Sequence, residues 1–189
     1  MIRTEEFAPP PIRRREILRY AGVKEESPEL AALLDECLAE LGDALCYKVC
    51  YDEYPFLREE RSIHLGFAEI PSNDLLRNLA GCDAAVVFCA TVGLGMDRLI
   101  ARYSRTSPAK ALLFEAIGNE RIESLCDAFC ATQKATAPRF SPGYGDLPLA
   151  VQRDIFSALD CPRRIGVSLG DNLLMTPQKS VTAILGIKK

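Results

Sequence analysis

The most constraining feature of the sequence is an almost uninterrupted apolar run, CDAAVVFCATVG, at residues 82–93. Because such a run has no polar face to turn towards water, it predicts a central β-strand that is buried on both faces. Gly93 and Gly95 follow the run and begin a segment with helical periodicity. A phosphate can bind where a buried strand leads into a helix, but the third glycine of the dinucleotide fingerprint is missing. The two glycines therefore predict a tight strand-to-helix turn.

Strands and helices alternate along the rest of the chain without a strict βαβ rhythm. Period-2 patterns and apolar runs predict strands at residues 44–51, 62–70, 82–93, 164–169 and 180–187. Helical periodicity and capping residues predict helices at residues 12–21, 28–41, 73–80, 94–103, 108–131 and 148–159. Together they predict a single mixed α/β domain, with a twisted mixed sheet flanked by helices and a helical N-terminal cap. Residues 1–42 form the arm and cap, and residues 43–189 form the main part of the domain.

Composition excludes several classes of function. A formal net charge of −3 and an isoelectric point near 5.4 argue against nucleic-acid binding. The N-terminal sequence lacks the apolar run of a signal peptide, and no stretch is long and apolar enough to span a bilayer. We therefore expect a cytoplasmic protein that binds neither nucleic acid nor membrane.

The eight cysteines are expected to be free thiols, because the cytoplasm is reducing. Cys46 and Cys50, like Cys126 and Cys130, are four residues apart, which is not the spacing of a metal knuckle. His64 is the sole histidine and lies within a predicted strand, where a hydrogen-bonded sheet residue is favoured over a catalytic one. No metal site is predicted.

The segment RFSPGYGDLP, residues 139–148, is a loop stiffened by prolines and glycines. Turn geometry explains the glycines, and Asp146 is expected to cap the following helix. Neither explains Arg139 or Tyr144. An arginine grips carboxylates with a planar fork of donors, and a tyrosine ring attracts cations. The loop therefore suits a small zwitterionic ligand that carries a carboxylate and an additional positive charge.

The longest predicted helix places Asn119, Glu123 and Asp127 on one face, because they are spaced four residues apart. This spacing is compatible with a solvated surface. It equally allows Glu123 to face a cationic ligand if the helix lines a cleft.

The loop RFSPGYGDLP and the later stretch LLMTPQKSVTAILG together resemble the activation domain of cobalamin-dependent methionine synthase, which binds S-adenosylmethionine. The resemblance covers residues 80 to 187, and residues 43–189 are the expected extent of an activation-like domain. The second stretch carries the family's pattern at Met175, Pro177, Ser180 and Val181. The resemblance implies that S-adenosylmethionine is bound by Glu123, Arg139, Ser141, Pro142, Gly143 and Tyr144.

In this family the domain reactivates oxidised cobalamin with one electron and a methyl group. The resemblance implies that Arg139 holds the ligand carboxylate and Glu123 offsets its ammonium group. Gly143 and its neighbours would contact adenine through the backbone, with Tyr144 beside the ligand, and no residue acts as an acid or base. Because Ser62 stands where the cobalamin-ligand motif requires Asp before His64, cobalamin would be held by a partner.

The implied partner is a corrinoid-binding methionine synthase or related methyltransferase subunit, with a flavodoxin-like protein as electron donor. The resemblance thus predicts a short, free-standing component of a methionine synthase system. Two alternatives stay open at this point. One is an interaction module that caps a corrinoid protein without binding S-adenosylmethionine, and the other is a cysteine-based metal or redox protein.

Overall fold

A computed structural model describes residues 1–188 of the chain; Lys189, the last residue of the predicted main part, lies outside the described residues. The strands in chain order are β1 (Arg3–Glu6), β2 (Lys48–Tyr54), β3 (Leu57–Arg58), β4 (Ser62–His64), β5 (Glu69–Pro71), β6 (Ala84–Thr91), β7 (Ser168–Leu169), β8 (Met175–Thr176) and β9 (Ser180–Ile187). The helices are α1 (Arg14–Tyr20), α2 (Pro28–Leu41), α3 (Asn73–Asn78), α4 (Leu94–Tyr103), α5 (Pro108–Thr132), α6 (Val151–Leu159) and α7 (Cys161–Ile165).

The main sheet has four strands in the order β1-β2-β6-β9, and helices cover both of its faces. Side chains of β6 alternate between two cores, as the period of a strand requires. Val86 and Phe88 face the core formed with α1, α2, α4 and α5. Val87 and Cys89 face the core formed with α3, α6 and α7. The prediction of a mixed α/β domain around a doubly buried central strand is therefore confirmed.

Local sequence signals set the ends of the principal helices. The Ser27 side chain accepts a hydrogen bond from the amide of Leu30 at 3.2 Å, Pro28 occupies the first turn of α2, and Gly42 ends it. The predicted long helix is confirmed as α5, which begins at Pro108. Within residues 1–188, no helix combines the length and the apolar character that crossing a membrane requires.

Several predicted strands differ from the structure. The main sheet was expected to be mixed, yet each of its strand pairs is antiparallel. The predicted strand at 62–70 is a hairpin, because Gly66 adopts a positive φ of 79° and reverses the chain. The segment 164–169 contributes the end of α7 and the two-residue strand β7, not a strand of the main sheet. The alternating pattern of the predicted strand at 44–51 indicates one buried face, yet the strand is covered on both faces, with Val49 and Cys50 both fully buried.

The N-terminal arm is part of the fold. Its residues 3–6, for which no strand was predicted, form β1 on the edge of the sheet, with Arg3 opposite Tyr51. The following prolines are fastened to α5 by Arg121, which is only 2% exposed and donates to the carbonyls of Pro10 and Pro11. The arm and α1 thereby pack against α5 and bury Glu120 and Arg121.

Candidate functional site

The other edge of the sheet positions Arg139. Residues 135–140 run antiparallel along β9, where the amide of Phe140 donates to the carbonyl of Ile184 at 2.8 Å and the reciprocal bond is 2.9 Å. Neighbouring side chains in an extended segment point to opposite faces. Phe140 accordingly packs against the core beneath α6, whereas the guanidinium of Arg139 reaches α5. Pairing with β9 thus fixes the position of Arg139 and the face of the sheet to which its side chain points.

Arg139 forms ion pairs with two carboxylates on α5. Its Nη1 lies 2.6 Å from Asp127 Oδ1, and its Nη2 contacts Glu123. Partial burial disfavours the charge, but the hydrogen bond to Asp127 and the carboxylate charges outweigh it and raise the pKa of Arg139 above its ordinary value. Arg13 of the N-terminal arm also reaches Asp127, at 2.8 Å. The arm, α5 and the loop therefore meet at Asp127.

The loop after Arg139 is held in one conformation by its own backbone. Gly143 has a φ of 91° and donates its amide to the carbonyl of Leu147 at 2.9 Å. The amide of Tyr144 donates to the carbonyl of Ser141 at 3.1 Å. Because positive φ is strained for other residues, glycine at position 143 allows this turn. The Tyr144 side chain is left 70% exposed.

Asp146 also rigidifies the loop, although not as the sequence predicted. Helix α6 has no side-chain cap, whereas the carboxylate of Asp146 accepts hydrogen bonds from the backbone amides of Asn73 and Asp74 at the start of α3. It also accepts one from the Ser72 hydroxyl. The Ser72 hydrogen bond and the backbone donors lower the pKa of Asp146 to about 2. The loop is consequently anchored to α3, which is distant from it in sequence but adjacent to it in the fold.

A cleft of about 530 Å³ lies between this loop, α5 and the start of β9. Its lining includes five of the six residues predicted to bind the ligand: Glu123, Arg139, Ser141, Pro142 and Tyr144. Gly143 shapes the loop and is not among the lining residues. Met175, Ser180 and Val181 of the second stretch also line the cleft, and Pro177 accepts a hydrogen bond from Ser180 at 2.7 Å. The fold therefore brings three separate parts of the sequence to one cleft.

Two polar residues of the cleft were not identified from the sequence. Gln152 and Thr182 are 6% and 2% exposed, and their side-chain oxygens Oε1 and Oγ1 have no hydrogen-bond partner within the described chain. Gln152 shares the apolar face of α6 with Ile155 and Phe156, and Thr182 interrupts an apolar strand. A polar residue in an otherwise apolar pattern was the sequence signal that could have identified them. Buried polar groups normally have hydrogen-bond partners, so such a residue indicates a partner still to be found.

The cleft continues over α5 towards α1. A second hollow of about 540 Å³ shares Glu123 and Tyr144 with the first and adds residues of α1, including Tyr20. At its floor, Lys179 Nζ lies 2.9 Å from Asn119 Oδ1. Asn119 and Glu123 of the predicted helix face therefore border a groove, and these two residues and Asp127 all pair with basic side chains.

The other candidate sites have structural explanations. A Cβ atom on Gly95 would lie 2.6 Å from the carbonyl carbon of Ala44, so the glycine allows close packing after the buried strand. All eight cysteines are free, and burial raises the pKa of Cys37 to about 11. The sulfurs of Cys50 and Cys161 lie 3.9 Å apart in the core. In residues 1–188 no cysteine belongs to a group of three or more side chains spaced to hold a metal ion.

No protein-family model matches the sequence, and no curated protein is significantly similar to it. Among solved structures, the protein is similar to the reactivation domain of MetH, crystallised with AdoHcy. The TM-score is 0.75 at 13% sequence identity, and the match covers 98% of this chain and 78% of the other. This similarity confirms, at the level of the fold, the resemblance to a methionine synthase activation domain.

Proposed function

We propose that the protein binds S-adenosylmethionine in the cleft between α5, the loop after Arg139 and β9, and takes part in the reductive methylation of cobalamin on a corrinoid protein. The observation that carries the proposal is the convergence of Glu123, Arg139 and Tyr144 on one cleft. The fold of a domain crystallised with AdoHcy supports the same ligand class. The cleft volume is within the range of about 300–1,000 Å³ usual for small-molecule sites.

The charges in the cleft suit an amino-acid zwitterion. A carboxylate can take the place of Glu123 on Arg139 while an ammonium group takes the place of Arg139 on Glu123. One internal ion pair is then replaced by two pairs with the ligand, and Asp127 continues to orient the guanidinium. Arg13 also pairs with Asp127, so two guanidinium groups and two carboxylates balance at this end of the cleft.

The opposite end of the cleft suits a nucleoside. Thr182 shares a strand face with Ile184, on the α6 side of the sheet, whereas Arg139 points to the α5 side. The unpartnered oxygens of Gln152 and Thr182 offer hydrogen bonds to ligand N–H or O–H groups there. The exposed ring of Tyr144 adds a stacking surface at the cleft mouth.

S-adenosylmethionine bound here would supply a methyl group on a positively charged sulfur to the cobalamin of a partner, and this chemistry would require no acid or base from the chain. Its residues bind and orient the ligand in a cleft open enough for a second protein to approach. A methionine synthase or related methyltransferase subunit would hold the cobalamin, and a flavodoxin-like protein would supply the electron.

One observation favours the alternative of an interaction module that has no S-adenosylmethionine ligand. The guanidinium of Arg139 is already satisfied by two carboxylates, so it can serve purely to hold the loop against α5. Binding measurements separate the two functions.

Calorimetric titration with S-adenosylmethionine tests the proposal, with Arg139→Ala as the variant. Losing a charged hydrogen bond of about 1.5–3 kcal/mol should weaken binding roughly 10- to 150-fold. Arg153→Ala is the matched control, because Arg153 lies on α6 and donates to the Asp171 carbonyl. Equal affinities of the wild type and Arg139→Ala would refute the assigned site. Absence of binding together with retained binding to a corrinoid protein would establish the interaction module instead.

A further inference from the structure

The hairpin of β4 and β5 carries a group of ligating side chains remote in sequence from the cleft residues. His64 lies directly opposite Glu69 in the antiparallel pair, so both side chains share one face of the hairpin. The turn before β4 brings Glu59 to the same place, held by a 3.0 Å bond from its amide to the Ser62 carbonyl. We propose that Glu59, His64 and Glu69 bind a divalent transition-metal ion.

The distances fit a metal ion. His64 Nε2 lies 3.1 Å from Glu59 Oε1 and 3.9 Å from Glu69 Oε2. One donor atom from each residue can be chosen so that all three lie within 4.8 Å of one another. In a tetrahedral zinc site with bonds of about 2.0–2.1 Å, neighbouring ligand atoms are about 3.3–3.4 Å apart. Rotations of exposed glutamate side chains are sufficient to reach these spacings.

A buried hydroxyl group orients the Glu69 carboxylate. Ser62 is 6% exposed, and its Oγ donates to Glu69 Oε1 at 2.9 Å and lies 3.5 Å from Glu59 Oε2. The oxygens that approach His64 are the other two, Glu59 Oε1 and Glu69 Oε2. Glu69 thus has one oxygen held by Ser62 and the other directed at the imidazole, and Glu59 directs its Oε1 at the same ring. Second-sphere hydrogen bonds have this arrangement in metal sites, where they orient the ligands.

The ligand set selects the class of metal. An imidazole nitrogen with two carboxylates suits zinc and neighbouring first-row divalent ions, whereas magnesium prefers oxygen ligands and keeps its water. The three side chains are between 37% and 59% exposed, so water can complete the coordination. A metal ion would also offset the repulsion between two carboxylates on the same small hairpin.

The absence of any other histidine gives a clean measurement, because the single imidazole produces its own pair of proton NMR signals. Zinc added to the full chain should shift the His64 signals until they reach a single saturated position. Glu69→Gln should weaken this response at least about tenfold, and Ser62→Ala should weaken it roughly 10- to 100-fold through loss of orientation. Glu60→Gln, a neighbouring carboxylate outside the group, should leave it unchanged.

The imidazole signals separate this site from the cysteines, which can also take up zinc without shifting them. Unmoved His64 signals at saturating zinc would overturn the proposal, as would equal responses in the wild type and Glu69→Gln. An equal response to magnesium would overturn it too, because it would indicate a general effect of charge.

Discussion

Replacing Arg121 with methionine should lower the free energy of unfolding by about 3–5 kcal/mol, since it breaks a buried ion pair from one side. Arg121 Nε lies 2.6 Å from Glu120 Oε2, and its Nη2 lies 2.7 Å from the other carboxylate oxygen. Glu120 is fully buried. After the substitution, its charge keeps only the Ser124 hydroxyl at 2.5 Å and weaker contacts from Arg13.

The pH dependence of this loss follows from the pKa of Glu120. Burial raises that pKa, but the hydrogen bonds from Arg121 and Ser124 and the charge of Arg121 lower it below its ordinary value. Without Arg121, burial should dominate and raise it. When the pKa of a carboxyl group is higher in the folded protein than in the unfolded chain, the fold is more stable with that group protonated. The free energy of unfolding therefore falls as pH rises through the raised pKa. The difference between wild type and variant should therefore be larger at about pH 8 than at about pH 5.

Urea unfolding followed by far-ultraviolet circular dichroism measures this effect, since the chain has no tryptophan for fluorescence. In thermal unfolding followed by the same signal, the melting temperature of Arg121→Met should fall by roughly 6–20 °C, at about 2–4 °C for each kcal/mol in a chain of this size. The double variant Glu120→Leu, Arg121→Met removes both charges and should recover about 1–3 kcal/mol. A loss below about 1 kcal/mol in Arg121→Met, or no recovery in the double variant, would refute the buried-charge argument.

Three further substitutions test other parts of the fold. Gly95→Ala should lower the free energy of unfolding by about 1–3 kcal/mol or more, because the new Cβ overlaps the Ala44 backbone. Urea unfolding measures this loss. Phe129→Ala should cost about 3–5 kcal/mol by the same assay, since its buried ring lies 4.8 Å from that of Phe88. Asp146→Asn removes a group whose pKa is lowered to about 2, so its stabilisation is present above about pH 4 and lost as pH falls towards about 2. Unfolding curves measured across that range should show wild type and Asp146→Asn converging at the acid end.

Local signals in the sequence predicted much of the fold. The buried strand β6, the Ser27 cap with Gly42 at the other end of α2, and the long helix α5 all follow from periodicity and capping residues. These features depend on interactions within a few residues of the chain. The composition of the loop after Arg139 also identified the candidate site, although its contacts with β9, α3 and α5 are long-range.

The strand directions and the hairpin at Gly66 were not predicted from the sequence, because strand pairing depends on which distant segments meet. Gln152 and Thr182 of the candidate site lie far apart in the chain. The fold places both on the same cleft, a proximity that no local sequence pattern indicates.

Caps, periodicity and turn residues act locally, so the sequence alone was sufficient to locate most helices, the central strand and the loop that carries Arg139 and Tyr144. The three-dimensional arrangement was needed to show that Arg139 pairs with Glu123 and Asp127, that Asp146 caps α3, and that Glu59 approaches His64. Each of these contacts joins charged or polar groups through space, and their partners are chosen by packing of the sheet and helices.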